Sequence, residues 1–101
     1  MKKENITKII ESEVNHLIVI DNHLIELTND NKIHIIEKIN DTLNNINMNR
    51  INNFMIHQQE KEYNKNINSL HIQYHCFISF IDNSYCDLFT SVVVFDNNIL
   101  D

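Results

Sequence analysis

The stretch from Leu70 to Phe95 constrains the fold more than any other part of this chain. It reads Leu70-His71-Ile72-Gln73-Tyr74-His75-Cys76-Phe77-Ile78-Ser79-Phe80-Ile81, then Asp82-Asn83-Ser84, then Tyr85-Cys86-Asp87-Leu88-Phe89-Thr90-Ser91-Val92-Val93-Val94-Phe95. Aromatic and β-branched side chains dominate both arms, and a short polar break separates them, which predicts a β-hairpin. Successive strand side chains point to opposite faces, so Ile72, Tyr74, Cys76, Ile78 and Phe80 share one face and His71, Gln73, His75, Phe77 and Ser79 the other. The first face needs a covering layer, and the upstream residues must supply it as helices and further strands. In the second arm Phe89, Val93 and Phe95, together with Phe77, exceed what one inner layer can hold. Either helices cover both sides or an apolar patch meets solvent.

The chain has no glycine and no proline. Turns must therefore be made by Asn, Asp and Ser, which tolerate left-handed backbone or bond to it locally. Ile20-Asp21-Asn22, Ile81-Asp82-Asn83 and Phe95-Asp96-Asn97 each end an apolar run in the same way. The recurrence predicts that one turn chemistry closes three strands.

Met1 to Asn15 carries Ile6, Ile9, Ile10 and Val14 at helical spacing and predicts an amphipathic helix. From His16 to Thr28 two readings compete. The helical stripe could run on to Leu27, or Leu17–Ile20 and His23–Leu27 could form a short hairpin about Asp21-Asn22; the hairpin is preferred. Asn29-Asp30-Asn31 then reads as a turn and helix start. Ile35, Ile36, Ile39, Leu43 and Ile46 define a helical stripe, and Ile51, Phe54, Met55 and Gln58 continue the period with a shifted phase. The spacing predicts a long helix, bent near Asn47 or continuous from Lys32 to Lys61, ~45 Å at 1.5 Å per residue. Such a helix overhangs a sheet of short strands, so Ile51, Phe54 and Met55 are expected to bury themselves by self-association. Glu60 to Asn68 reads as a connection and Asn97-Asn98 as a frayed tail.

The order is thus an α+β one: helix, β-hairpin, long helix, β-hairpin, with an antiparallel sheet packed on the helices. One domain is expected over residues 1–101, with residues 66–101 as its C-terminal hairpin region. A chain of 101 residues with 43% hydrophobic and 22% charged residues can bury roughly 60–65% of its unfolded surface without staples. The wealth of Ile and Asn points to a low-GC source such as a phage, virus or AT-rich bacterial locus.

Chemistry is constrained mainly by exclusion. Without glycine there is no phosphate-cradling loop of Walker or Rossmann type. His71, His75, Cys76 and Cys86 carry metal-ligand side chains, but strand residues four apart lie ~13 Å from each other, too far to meet one zinc ion. No metal and no cofactor are therefore expected. His75-Cys76 as a nucleophilic pair fails similarly, since strand neighbours face opposite ways, and no enzymatic activity is expected. A tight turn would set Cys76 opposite about Ser91 and Cys86 opposite about Ile81, which argues against a disulfide. The paired acids Glu11-Glu13 and Glu60-Glu62 are assigned to solvated surface. No signal peptide is read, nor an apolar run of membrane-spanning length, so the expected location is the cytoplasm.

The formal net charge is −6, from eight basic and fourteen acidic residues. Lys2, Lys3, Lys8, Lys32, Lys38 and Arg50 are interleaved with acids, and no Lys or Arg follows Lys65, so direct nucleic-acid binding is not expected. The function read from these residues is a small acidic protein-binding module: an inhibitor, immunity or counter-defence protein that blocks a basic effector or nuclease. Its partner surface is placed on the C-terminal hairpin at Tyr85, Asp87 and Phe89, with Asp82 at the turn, where aromatic anchors and complementary charge coincide. The alternative is a structural or assembly protein, a homodimer or larger homo-oligomer joined through its long central helix.

Overall fold

In the computed structural model, which describes residues 1–95 and 99–100, the chain runs α1 (Lys3–Val14), β1 (Ile18–Ile20), β2 (His23–Ile25), α2 (Asn29–Thr42), a short 3₁₀ turn (Met48–Arg50), β3 (Ile51–Asn64), β4 (Ser69–Phe80), β5 (Tyr85–Phe95) and β6 (Ile99–Leu100). Two antiparallel sheets form, a large one in the order β3-β4-β5 and a small one in the order β1-β2-β6. The α+β class follows directly.

Each helix is made by the stripe that the sequence shows. Helix α1 buries Ile6, Ile10 and Val14. Helix α2 begins at Asn29, one turn earlier than expected, because Thr28 caps it by accepting a hydrogen bond from the Asn31 N–H at 3.1 Å. It buries Ile35 and Ile39, and Leu43 closes its last turn inside the core. Both helices pack on one face of the large sheet, α1 against β3 and α2 against β5. Between them and the sheet lie Ile51, Phe54 and Ile56 of β3, Leu70, Ile72, Tyr74, Cys76 and Ile78 of β4, and Val92 and Val94 of β5. Burying one such aliphatic or aromatic side chain is worth ~1.5–3 kcal/mol, so this layer is the main stabilising element of the molecule.

The long central helix is not present. After Thr42 the chain leaves the helix, and the residues expected to continue it form a strand of 14 residues. The misreading has an identifiable cause. Asn52 and Asn53 together oppose Ser79, a β-bulge that lets both Ile51 and Phe54 point inward three residues apart. That spacing imitates the i, i+3 repeat of a helix. A second bulge at Gln59-Glu60 shifts the phase again. Strand β3 also includes Glu60 to Asn64, so only Lys65 to Asn68 remains as the connection. Fourteen strand residues reach ~46 Å at 3.3 Å each, in line with the 47 Å long axis of the molecule. A sheet of that length reaches Ile51 and Phe54, which are only 1% and 3% exposed. Their burial needs no second copy, and the reason for assigning them to self-association disappears.

Left-handed Asn and Asp residues carry the turns. Asp21 and Asn22 have φ of 50° and 66° and form the two-residue connection between the paired Ile20 and His23. Positive φ at both central positions is the I′ geometry that matches strand twist. The β4–β5 turn differs: Asn83 N–H donates to Phe80 C=O at 3.0 Å, Phe80 N–H donates to Ser84 C=O at 2.8 Å, and Asn83 has φ 70°. This is a three-residue loop with Asn in the left-handed position that glycine commonly fills. The third proposed turn, at Asp96-Asn97, and the tail at Asn97-Asn98 lie outside the described residues.

The loop falls at residues 81–83, earlier than expected, and this shifts the hairpin register by three positions. Cys76 is opposite Leu88 rather than Ser91, and Cys86 is opposite Ile78 rather than Ile81. The two cysteines thus lie on one face as diagonal neighbours, both as free thiols.

Candidate functional site

The large sheet has helices on its inner face only, and its outer face is an open surface of alternating residues. Directly paired residues share a face, so the register orders this surface in rows. Asn53, Ser79 and Tyr85 form the first row, Met55, Phe77 and Asp87 the second, and His57, His75 and Phe89 the third. Glu60, Gln73 and Ser91 follow, then Glu62, His71 and Val93. The apolar surplus of the second arm is therefore at the solvent boundary. Phe89 is 51% exposed and Tyr85 67% exposed.

The centre of the face is packed in spite of its exposure. The His75 ring stacks on Phe89 at 4.8 Å between centroids and meets the edge of His57 at 4.9 Å. Its Nε2 lies 2.7 Å from Asp87 Oδ1, a hydrogen bond that becomes an ion pair when the ring is protonated. One row nearer the turn, Phe77 stacks with Tyr85 at 5.7 Å. Stacking contacts of this kind restrict ring rotamers, which lowers the ordering cost of an association the rings take part in.

Tyr85, Asp87 and Phe89, assigned from sequence to partner binding, are thus brought together on one face of β5. Asp82 is not part of that face. It sits in the turn, where the Ser84 hydroxyl and the Ser84 N–H, the latter at 3.0 Å, donate to its carboxylate, and Arg50 reaches it at 2.7 Å. Those Ser84 bonds, followed by the Arg50 charge, hold the Asp82 carboxyl below its usual range. The C-terminal third therefore does have a cation to offset its acids, delivered by β3 from outside that segment. Arg50 also lies over the Phe80 ring, 5.7 Å from its centroid. Of the three residues assigned to self-association, Ile51 and Phe54 belong to the inner core, while Met55 is 53% exposed and joins the outer face opposite Phe77.

Sequence reasoning missed His57, Glu60 and Glu62 as members of this surface, because a helix or loop reading of their segment hid their alternation with β4. His71, His75 and Phe77 were legible as sharing the outer face of the first arm. The outward carboxylates are Glu60, Glu62 and Asp87, and no Lys or Arg occupies an outward position in these five rows. Lys61 pairs with Ile72 in the alternate register set, yet it is exposed and lines a groove together with Gln59, Glu60, Glu62 and His71.

A second polar cluster lies at the seam of α1 and β3. Glu13 is not a solvated surface acid: its Oε1 accepts from Gln58 N–H at 3.0 Å, and its Oε2 lies 2.9 Å from His16 Nδ1. This bond occupies an edge donor of β3 that would otherwise invite another strand. Nearby, the Tyr74 hydroxyl and Gln58 Nε2 are buried without a well-formed hydrogen bond. Burial, and secondarily the Glu13 charge, pushes the Tyr74 hydroxyl well above its ordinary value. Among the described residues, no three His, Cys, Asp or Glu side chains are grouped so as to hold a metal ion. No helix among them is long and apolar enough to cross a membrane.

The chain matches no protein-family model, and neither the curated proteins nor the solved structures yield a match. The class defined by the fold and this surface is a two-layer α+β protein with one sheet face open.

Proposed function

We propose that this chain is an acidic protein-binding module whose working surface is the outer face of β3-β4-β5, acting as an inhibitor, immunity or counter-defence protein on a basic effector or nuclease. One observation carries the reading: an exposed sheet face combines stacked aromatic rings with three carboxylates, with Lys61 as the one cation at its margin. Large aromatics supply contact area at low entropic cost, and a predominance of acids over the single neighbouring Lys61 favours a basic partner over an acidic one. The acids would accelerate encounter, and Phe89 with Tyr85 and Phe77 would hold the complex together.

The test is recovery of partners from the native host with the tagged chain, beside a folded variant carrying Asp87→Lys and Phe89→Ala. The expected result is a basic protein captured by the wild type and lost by the variant. Asp87→Lys alone should mainly slow its association and flatten the salt dependence, and Phe89→Ala alone should mainly speed dissociation. A partner that binds both folded variants at wild-type rates would remove the outer face from consideration. If the face instead covers a second copy of the chain, light scattering will give a dimer mass that Phe89→Ala reduces.

A further inference from the structure

The outer face alternates its acids with imidazoles in a way that the binding reading does not use. Glu62 is directly opposite His71. Asp87 is 2.7 Å from His75. Glu60 is opposite Gln73, which places it diagonally between His71 and His75, within reach of both. His57, edge-on to His75, completes the set. Each of the three carboxylates thus has an imidazole as a neighbour on the same face.

We infer that this face is proton-gated: it takes a basic partner at neutral pH and releases it in mildly acidic conditions. The inference rests on the proposed function and adds its regulation. With neutral imidazoles the rows carry three negative charges, from Glu60, Glu62 and Asp87. Imidazole is the side chain that ordinarily gains its charge between pH 5 and 8, while exposed carboxylates keep theirs until more acidic pH. A positive charge on the imidazoles offsets the carboxylates they neighbour, most directly at the 2.7 Å His75–Asp87 contact and at the His71–Glu62 pair. Among the described residues, Tyr85 is the one further titratable side chain at an outward position in these rows. Lys61 is exposed and lines a groove with Glu60, Glu62 and His71, so it adds a cation beside them; Arg50 is engaged with Asp82, and neither helix packs on this side. The aromatic contacts remain, so the gate acts on charge and not on shape.

The experiment uses the full chain and a synthetic amphipathic helical peptide bearing Arg and Leu as a basic probe, titrated by fluorescence anisotropy at about pH 7.5 and about pH 5.5 at fixed salt. Amide chemical-shift mapping locates the bound peptide. The expected result is shifts on outward residues of β3, β4 and β5 and a Kd about tenfold weaker at the lower pH, the combined loss of three exposed charge pairings. A His57→Gln, His71→Gln, His75→Gln variant should lose that pH dependence while a melting curve shows it folded. If the triple variant does not fold, His57→Gln with His71→Gln should reduce the dependence by more than half. Equal affinity at both pH values, with shifts on the outer face, would overturn the gate and leave the binding reading standing. Full pH dependence in the folded variant would also overturn it. Absence of shifts on the outer face at either pH would overturn both readings.

Discussion

At the residue scale, the two thiols show how one face of a strand pair sets chemistry. Cys76 is fully enclosed by the core, and burial, with a smaller effect from Cys86, pushes its thiol up from an ordinary 9.0 to about 12. Cys86, nearer the sheet end, is raised first by burial and then by the Asp87 charge. Alkylation of the native protein should therefore modify Cys86 first, with Cys76 reacting only through unfolding; equal rates at both would contradict the burial seen here. A group whose pKa is raised on folding contributes stability that is complete below its unfolded value and is lost as pH rises toward its folded value. Denaturant midpoints should accordingly fall as pH rises from about 9 toward about 12, and Cys76→Ala should make that slope shallower, whatever its effect on absolute stability. The Tyr74 hydroxyl, raised in the same direction, adds to the slope at its upper end.

At the element scale, the absence of glycine places the burden of chain reversal on a few Asn and Asp residues. Asn83 holds φ 70° in the β4–β5 loop, a conformation costing a residue with an ordinary Cβ ~1–2 kcal/mol. Asn83→Gly should therefore leave stability unchanged or raise it slightly, whereas Asn83→Val should lower it by ~1–2 kcal/mol in a denaturation series. Helix α2 depends in the same local way on Thr28, whose hydroxyl satisfies the Asn31 N–H. Thr28→Ala should cost ~0.5–2 kcal/mol, and Thr28→Asp, which restores an acceptor, should cost less. The short pair β1 and β2 gains its register from the Asp21-Asn22 turn and its stability from Ile18 and Ile25, both inside the core.

At the scale of the whole molecule, the decisive feature is that both helices lie on one side of the large sheet. The two sides then respond differently to the same kind of substitution. Ile39→Ala, at a position with no exposure, should cost ~2–5 kcal/mol through lost burial and a cavity. Phe89→Ala, half-exposed on the outer face, should cost below ~1 kcal/mol, so a loss of binding in that variant reports on the surface and not on the fold. Thermal or denaturant melts of the pair decide this, and comparable losses would mean that the outer face is covered. The same asymmetry disposes of the earlier route to self-association: Phe54→Glu places a charge in the core and should unfold the chain rather than split an oligomer.

Periodicity and local backbone preference determined the first helix, the stripe from Ile35 to Leu43, the inner face of β4 and the reversals at Asp21-Asn22 and Asp82-Asn83, because each is a property that neighbouring residues express directly. Periodicity also showed that the second hairpin arm carried more aromatic surface than one layer could hold. What only the tertiary structure decided was the strand from Ile51 to Asn64 and everything that depends on it. Two bulges break its alternation into helix-like intervals, and a bulge exists only relative to the partner strand that it is paired with, so no reading of β3 by itself contains it. The hairpin register likewise turned on where the three-residue loop falls, at residues 81–83. With β3 in place, His57, Glu60 and Glu62 join His71, His75, Asp87 and Phe89 on one surface, and Arg50 reaches Asp82 across 32 positions of sequence. Such juxtapositions follow from how strands pair in space, which is a property of contacts between distant residues and not of the order in which those residues occur.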